Sequence, residues 1–418
     1  MDILVVGSGG REHAICYSLA KSDKVDKIYC APGNAGISEI AECVNINVMD
    51  AKGIIAFLDK NKNIGMTVVA PDDPLAMGLV DMLEAAGHRA FGPSKDAALI
   101  EASKAFSKWL MKEYNIPTAN YEEFTDYNKA LEYVKNQEYP LVVKADGLAL
   151  GKGVIICNNV KEGEQAVREM MVDGKFKDAG SKIIIEEFLI GREVSVLCFT
   201  DGTTIVPMVS SQDHKRAFDN DMGLNTGGMG TFSPSKIYTK DIADNVYANI
   251  IVPTMNAMNS ENRKFKGVLY FGLMLTDKGV KVLEYNARFG DPETQVVLPR
   301  LKTDLFEIFD SIIDERLNEI NIEWKDDAAV CVILASGGYP EAYEKGLPIT
   351  IGNLDEDIML FHAGTAFKDG KLVTNGGRVI GVTAMGKDIE AAREKAYSNV
   401  PKVKFDKVHY RKDIGIKL

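Results

Sequence analysis

The chain has 418 residues, 46% hydrophobic and 26% charged, with 49 basic and 60 acidic side chains and a net charge of −11. That length exceeds what one hydrophobic core usually serves, so several domains are expected, and the composition excludes a disordered or fibrous chain. The acidic excess argues against nonspecific binding to nucleic acid or to an anionic membrane, no apolar run is long enough to span a bilayer, and six scattered cysteines without a CxxC pair fit reduced packing residues of a cytoplasmic protein.

Over residues 1–103, short apolar runs at 3–6, 27–30, 66–70 and 89–91 alternate with helical patterns at 12–21 and 73–86. Strands alternating with helices predict βαβ units and a parallel sheet. Gly7-Ser8-Gly9-Gly10-Arg11-Glu12 follows the first strand and opens a helix, where free N–H groups and the dipole favour an anion. It looks like a dinucleotide fingerprint, but Glu12 takes the third glycine position and Tyr29-Cys30-Ala31 replaces the acid expected on the second strand. Two readings stay open there: a small anion such as a monophosphate, or a turn that only packs helix on strand.

Residues 104–193 change rhythm, with a helix carrying Trp109, a break at Pro117, strands at 141–144, 153–157 and 182–186, and a helix at 162–171, which suits a small α+β lobe. Between two of these strands lies Lys144-Ala145-Asp146-Gly147-Leu148-Ala149-Leu150-Gly151-Lys152-Gly153-Val154. Such a hairpin can fold over a polyphosphate while Lys144 neutralises it. It lacks the GxxxxGK[ST] pattern of a P-loop, and a plain flexible turn is the alternative. The strand entering Glu186-Glu187-Phe188-Leu189 offers backbone groups that can read an adenine edge, with Glu193 able to accept from ribose hydroxyls; solvated acids at a strand end are the bland reading.

Residues 194–325 contain strand patterns at 194–199, 204–210, 268–275 and 280–286 around a long Gly-rich excursion, 219–234. Long structureless loops inside a domain are usually functional. Gln212-Asp213-His214-Lys215-Arg216 and Thr226-Gly227-Gly228-Met229-Gly230 concentrate fixed donors there, with His214 more suited to packing than to acid-base work. In Val282-Leu283-Glu284-Tyr285-Asn286-Ala287-Arg288, strand alternation puts Glu284, Asn286 and Arg288 on one face and Leu283, Tyr285 and Ala287 on the packing face. A hard divalent cation takes oxygen ligands of the Glu284 and Asn286 kind, and Arg288 can hold an anion beside it. A wet edge strand is the alternative, disfavoured by the acid-dense turn Phe289-Gly290-Asp291-Pro292-Glu293-Thr294-Gln295. Residues 326–418 add strands at 328–335, 358–363 and 379–384 and a helix at 388–399.

Lys104, Lys144 with its hairpin, the linker 186–189, and Glu284 with Asn286 together resemble the ATP-grasp superfamily. The run 288–295, residues 7–13, Pro32-Gly33-Asn34-Ala35-Gly36, the 214–216 and 226–230 segments and Asn375-Gly376-Gly377-Arg378 resemble, in order and over the whole chain, the phosphoribosylamine-glycine ligase family. The resemblance implies an α/β and α+β multidomain protein. It comprises an N-terminal Rossmann-like parallel-sheet domain (1–103), an ATP-grasp core of small mobile lid lobe (104–193) and large lobe with the metal site (194–325), and a C-terminal α+β domain (326–418).

It also implies an activity: ATP phosphorylates glycine, and the amine of 5-phosphoribosylamine attacks the acyl phosphate, giving glycinamide ribonucleotide, ADP and phosphate in the second step of de novo purine synthesis. By motif position Lys104, Lys144 and Gly151 fall to the ATP phosphates, Glu186, Glu187, Phe188 and Leu189 to the adenine, Glu193 to the ribose, and Glu284 and Asn286 to Mg2+ or Mn2+. Arg288, Lys144 and Asp213 are the implied catalytic groups, with Asp213, Lys215 and Arg288 at glycine and its acyl phosphate and Gly9, Gly10 and Asn34 toward the phosphoribosylamine. Position 272, where many ATP-grasp enzymes carry a further metal-binding acid, is Gly272. Another ATP-grasp carboxylate-amine ligase is the alternative enzyme, and an NAD-dependent dehydrogenase the alternative of another class. Small-molecule partners are expected, with no nucleic acid and no membrane, and a monomer is expected with a homodimer as the alternative.

Overall fold

A computed structural model describes residues 1–148, 153–173 and 180–416. The first sheet has the strand order Glu42–Cys43, Lys27–Pro32, Asp2–Gly7, Ile64–Val69, Ala90–Phe91, all parallel. Leu4 and Val6 face one core while Ile3 and Val5 face another, the two-residue period of a strand buried on both sides. The helix expected over 73–86 is instead two, Asp72–Met77 and Leu79–Ala85. Gly78 between them has φ +93°, a left-handed conformation that closes one helix and turns the chain into the next.

A second, antiparallel sheet orders Tyr121–Phe124, Ile183–Glu187, Leu141–Ala145 and Val154–Cys157. Helices Tyr127–Lys135 and Val160–Met171, capped by Asp126 and Asn159, pack Ala130, Val134, Ala166 and Val167 with Leu141, Val143, Ile183 and Ile185 into a core of their own. This is the small lobe. A third sheet, also antiparallel, orders Ile205–Pro207, Arg192–Thr200, Gly267–Thr276 and Gly279–Asn286. The strand expected over 204–210 is confined to Ile205–Pro207, with the Met208 N–H making one further bond to the Leu197 carbonyl at 2.7 Å.

The Gly-rich excursion is not structureless. Arg216–Phe218 and Met222–Asn225 form a hairpin, and Gly230–Ser233 joins the order Gln212–Asp213, Gly230–Ser233, Ala328–Ala335, Arg378–Gly386, Met359–His362. One sheet therefore spans the excursion and the C-terminal unit. Buried Arg411 staples the two, pairing with Asp221 at 3.0 Å and Asp413 at 2.7 Å and donating to the Arg216 carbonyl. Among the described residues no helix is long and apolar enough to cross a membrane.

Candidate active site

The sheets converge on a cleft of about 600 Å3 lined from every unit, including Lys104, Lys144, Glu186, Phe188, Leu189, Glu193, Asp213, Lys215, Glu284, Asn286 and Arg288. The structure thus brings together segments separated by most of the chain. At one end, Lys144 and Lys108 both reach Glu186 Oε2, at 3.0 and 3.1 Å. Lys104 donates to the Gly147 carbonyl at 2.8 Å, and Asp146 accepts from Ser103 and from the Ala105 N–H, so the base of the glycine hairpin is pinned to the start of helix Lys104–Glu113. Gly151 lies outside the described residues. The Glu187 carboxylate turns away to Asn120 and Lys281, and its N–H goes to the Asn120 carbonyl. Val142, Ile156, Leu189, Met274 and Leu283 give this end an apolar wall.

The strand Gly279–Asn286 departs from simple alternation. Glu284 pairs with Gly272 but Val282 pairs with Leu273, so Leu283 is the extra residue of a β-bulge. The bulge reverses facing direction: Val282 lies in the same core as Tyr285 and Ala287, and Leu283, expected on that packing face, instead packs with Ala119, Leu189 and Met274 at the cleft. Glu284, Asn286 and Arg288 all line the cleft, as alternation within 284–288 requires.

Burial works to raise the Glu284 carboxyl, yet the cations of Lys215, Lys144, Lys104 and Arg288 outweigh it and hold it low. An ionised carboxylate beside the Asn286 amide is a donor set that suits magnesium or manganese. A Cβ on Gly272 would lie 3.1 Å from Glu284 Cγ, so the position opposite is closed to a further ligand unless Glu284 shifts. Among the described residues no three or more His, Cys, Asp or Glu side chains gather to hold a metal, so a cation here would draw most of its shell from phosphate and water.

The other end is a knot of buried charge. Arg288 pairs with Glu101 at 2.9 Å and donates to Asn286 Oδ1 at 3.3 Å, while its Nε has no partner among the described residues. Burial raises the Glu101 carboxyl, and Arg288 opposes that shift. Lys215 lies 3.3 Å from Glu193 and 3.6 Å from Glu284. Asp213 is pushed well up by burial and then by Glu293, and its buried Oδ1 has no partner among the described residues. Glu293 accepts from Tyr270 at 3.0 Å and Ser195 at 3.4 Å. Arg378 donates to the Gly227 and Asp291 carbonyls, with Tyr339 accepting from the Gly227 N–H beside it.

The glycine turn after the first strand carries its own anion. Glu12 accepts from the Gly9 N–H at 2.5 Å and from Arg11 Nε at 2.6 Å, so the helix start expected to face a small anion is capped internally. Gly7, at φ +136°, is needed because a Cβ there would meet Glu12 Cγ at 2.3 Å. Gly10 packs on Gln295, and a Cβ on Gly9 would sit 3.3 Å from Asp291. Asn34 accepts from the Gly36 and Ile37 N–H groups and donates to Ser8 and His362 carbonyls. Gly9, Gly10 and Asn34 do not line the cleft; of that turn Arg11 does. His214 is buried on Phe232, its pKa lowered to about 4 by burial and then by Arg411, away from the cleft.

Sequence reading missed Lys108, Glu101, Tyr270, Glu293 and the reach of Arg11 and Arg378. Lys108 had a local signal in its spacing of four from Lys104 on one helix face, and Glu293, Arg11 and Arg378 lay in motifs already singled out, whereas Glu101 had none.

Three family models cover the chain in order: the N domain of phosphoribosylglycinamide synthetase over residues 1–101, its ATP-grasp (A) domain over 102–294 and its C domain over 329–417. A phosphoribosylamine-glycine ligase from Caldanaerobacter subterraneus subsp. tengcongensis is 48% identical over 415 residues, covering 99% of each chain. The chain belongs to the phosphoribosylamine-glycine ligase family. The ligase of Halalkalibacterium halodurans is also 48% identical, over 100% of this chain and 97% of its own. The crystal structure of the Thermotoga maritima ligase matches with a TM-score of 0.85 at 35% identity, covering 99% of this chain and 100% of that one. The biotin carboxylase domain of a Hydrogenobacter thermophilus 2-oxoglutarate carboxylase, solved with MgADP and bicarbonate, shares the fold at a TM-score of 0.75 and 14% identity, covering 98% and 91%.

Membership makes the protein an ATP-dependent ligase that joins glycine to 5-phosphoribosylamine through glycyl phosphate, giving glycinamide ribonucleotide, ADP and phosphate in purine biosynthesis. The family uses ATP with a divalent metal. The dehydrogenase reading and the other carboxylate-amine ligases give way to this assignment.

Proposed function

We propose that the cleft runs the two half-reactions end to end, divided by the strand face of Glu284 and Asn286. ATP lies at the Lys104, Lys144 and Glu186 end, its base against Phe188 and Leu189 and its ribose toward Glu193. Lys104 and Lys144 neutralise the phosphates, and the small lobe closes over them as a lid that shields the acyl phosphate from water. Glu284 and Asn286 hold Mg2+ or Mn2+, which supplies charge neutralisation and Lewis-acid polarisation of the phosphoryl oxygens.

Glycine lies beyond that face. Arg288 and Lys215 orient its carboxylate, one oxygen of which attacks the γ-phosphorus as the bond to ADP breaks; positioning and neutralisation suffice for such a transfer. Phosphoribosylamine then approaches from the side of Gly9, Gly10 and Asn34, with Arg11 and Arg378 the cations nearest its phosphate. Its nitrogen attacks the glycyl carbonyl, phosphate leaves, and the proton lost from nitrogen passes to Asp213, whose raised affinity for a proton suits an acceptor. The observation that carries this reading is the Glu284 carboxylate held low between Lys104 and Lys144 on one side and Lys215 and Arg288 on the other.

The units 1–103, 104–193, 194–325 and 326–418 act as domains of a cytoplasmic monomer on this reading. The test is phosphate release from ATP with a panel of amino acids, with and without phosphoribosylamine. Turnover should require glycine and the amine together. Turnover with a different acid and amine, and none with this pair, would overturn it.

A further inference from the structure

Lys108 has no part in the roles above, yet it is the most deeply held cation at the nucleotide end, its side chain 3% exposed. Besides Glu186 it donates to Thr118 Oγ1 at 2.7 Å, and that hydroxyl donates to the Val282 carbonyl at 2.7 Å. Lys144, the other partner of Glu186 Oε2, donates to the Leu283 carbonyl at 3.4 Å. Both chains of contacts end on the bulge that aims Glu284. Glu186 Oε2 is thereby fixed from two sides, while Oε1 is buried with no partner among the described residues.

An unpartnered buried oxygen is costly, roughly 1–3 kcal/mol, unless a ligand completes it. A carboxylate oxygen whose twin takes two ammonium groups is an acceptor and not a donor. Beside it the apolar wall of Val142, Leu189 and Leu283 fits a flat base. A base edge bearing an amino group would satisfy Oε1; one bearing a carbonyl would set lone pair against lone pair.

We propose that Lys108 is a positioning residue for nucleotide choice: by fixing Glu186 Oε2 it aims Oε1 at the amino group of a 6-aminopurine and so excludes 6-oxopurines. The proposal rests on ATP occupying this end of the cleft. Sites built to pair a polar group reject analogues lacking it strongly, because the buried partner is left unsatisfied.

The test compares kcat/KM for ATP and for inosine triphosphate, at saturating glycine and phosphoribosylamine, in the full chain. Wild type should strongly prefer ATP. In Lys108→Met the preference should fall by about tenfold or more, the cost of one charge-assisted hydrogen bond, with KM for glycine unchanged. Glu186→Gln, whose amide can turn a donor toward a 6-oxo group, should bring the two nucleotides close to parity. Equal use of both nucleotides by wild type would overturn the proposal, as would an unchanged preference in folded Lys108→Met and Glu186→Gln proteins. Should Lys108→Met not fold, Thr118→Val loosens the same lysine, and an unaltered preference there and in Glu186→Gln also overturns it. Calorimetric binding of ADP against inosine diphosphate reads the same discrimination without turnover, so failure of the glycine assignment would be seen separately.

Discussion

The two ends of the cleft hold charge by different means. At the nucleotide end one carboxylate, Glu186, serves two lysines, and Lys104 leans on a carbonyl. At the carboxylate end Arg288, Glu101, Asp213, Glu293 and Arg378 arrive from four separate segments, and Arg288 Nε and Asp213 Oδ1 have no partner among the described residues. The first end is a scaffold of lysines on one carboxylate beside an apolar wall. The second is an interdomain assembly whose charges depend on one another, so damage there should reach stability as well as turnover.

Glu284 belongs to both ends and should show the largest effect. Glu284→Gln removes the charge that four cations share, and metal-dependent turnover should fall by about 10²–10³-fold, with a lower melting temperature but a native fold at 25 °C. A rate near wild type would sink the metal assignment. Arg288→Met next tests the interdomain end, because it strands the mostly buried Glu101. A loss of about 3–5 kcal/mol in urea unfolding is expected, as for a buried pair deprived of one partner. Lys104→Met, losing one hydrogen bond, should cost about 1 kcal/mol and raise KM for ATP. Equal stability losses in these two variants would erase the contrast between the ends.

A smaller effect is expected from pH. Burial lowers the Lys108 pKa to about 8 against the pull of Glu186, with Lys144 lowering it further and Glu187 raising it, and the Tyr121 ring 5.8 Å away. Below about 8 the ammonium holds Glu186; above it the proton leaves. The preference for ATP over inosine triphosphate should therefore weaken as pH rises through about 8, and a flat ratio from pH 6.5 to 9.5 would detach Lys108 from nucleotide choice.

The smallest effect concerns the wall that joins the N-terminal and C-terminal units. His13 Nδ1 accepts from the His362 N–H at 2.8 Å, and both rings are buried, with pKa values lowered from 6.5 to about 3 and about 4, chiefly by burial. The unfolded chain takes up these protons below about 6.5 while the folded chain refuses them, so stability is present above 6.5 and lost as pH falls toward 4. His13→Asn, which keeps an acceptor but cannot titrate, should flatten part of that fall in melting temperature. An unchanged acid limb would place the sensitivity elsewhere.

Legibility divides along the same line as the two ends. That Lys144, Glu284, Asn286 and Arg288 line the cleft was legible because each sits in a local pattern, a strand face or a glycine hairpin, that carries its own direction, whereas Lys104, at a helix start, came only with the family resemblance. Leu283 was misplaced because a bulge is a property of pairing with Gly272 and Leu273, which no single strand reveals. The excursion seemed unstructured for a related reason: Gly230–Ser233 becomes a strand only against Ala328–Ala335, about a hundred residues away. Glu101 had no signal, since its meaning comes from Arg288, and the glycine turn was open to an anion until Glu12 folded back on it.

Periodicity and the order of motifs thus determined the parallel sheet, the small lobe and the polar face at Glu284 unaided, because alternation, glycine conformations and helix spacing are set by covalent geometry within a few residues. Tertiary structure alone decided which charges are paired, which pKa values move and where Glu186 points, because those depend on the desolvation and the partners that distant segments bring to one place.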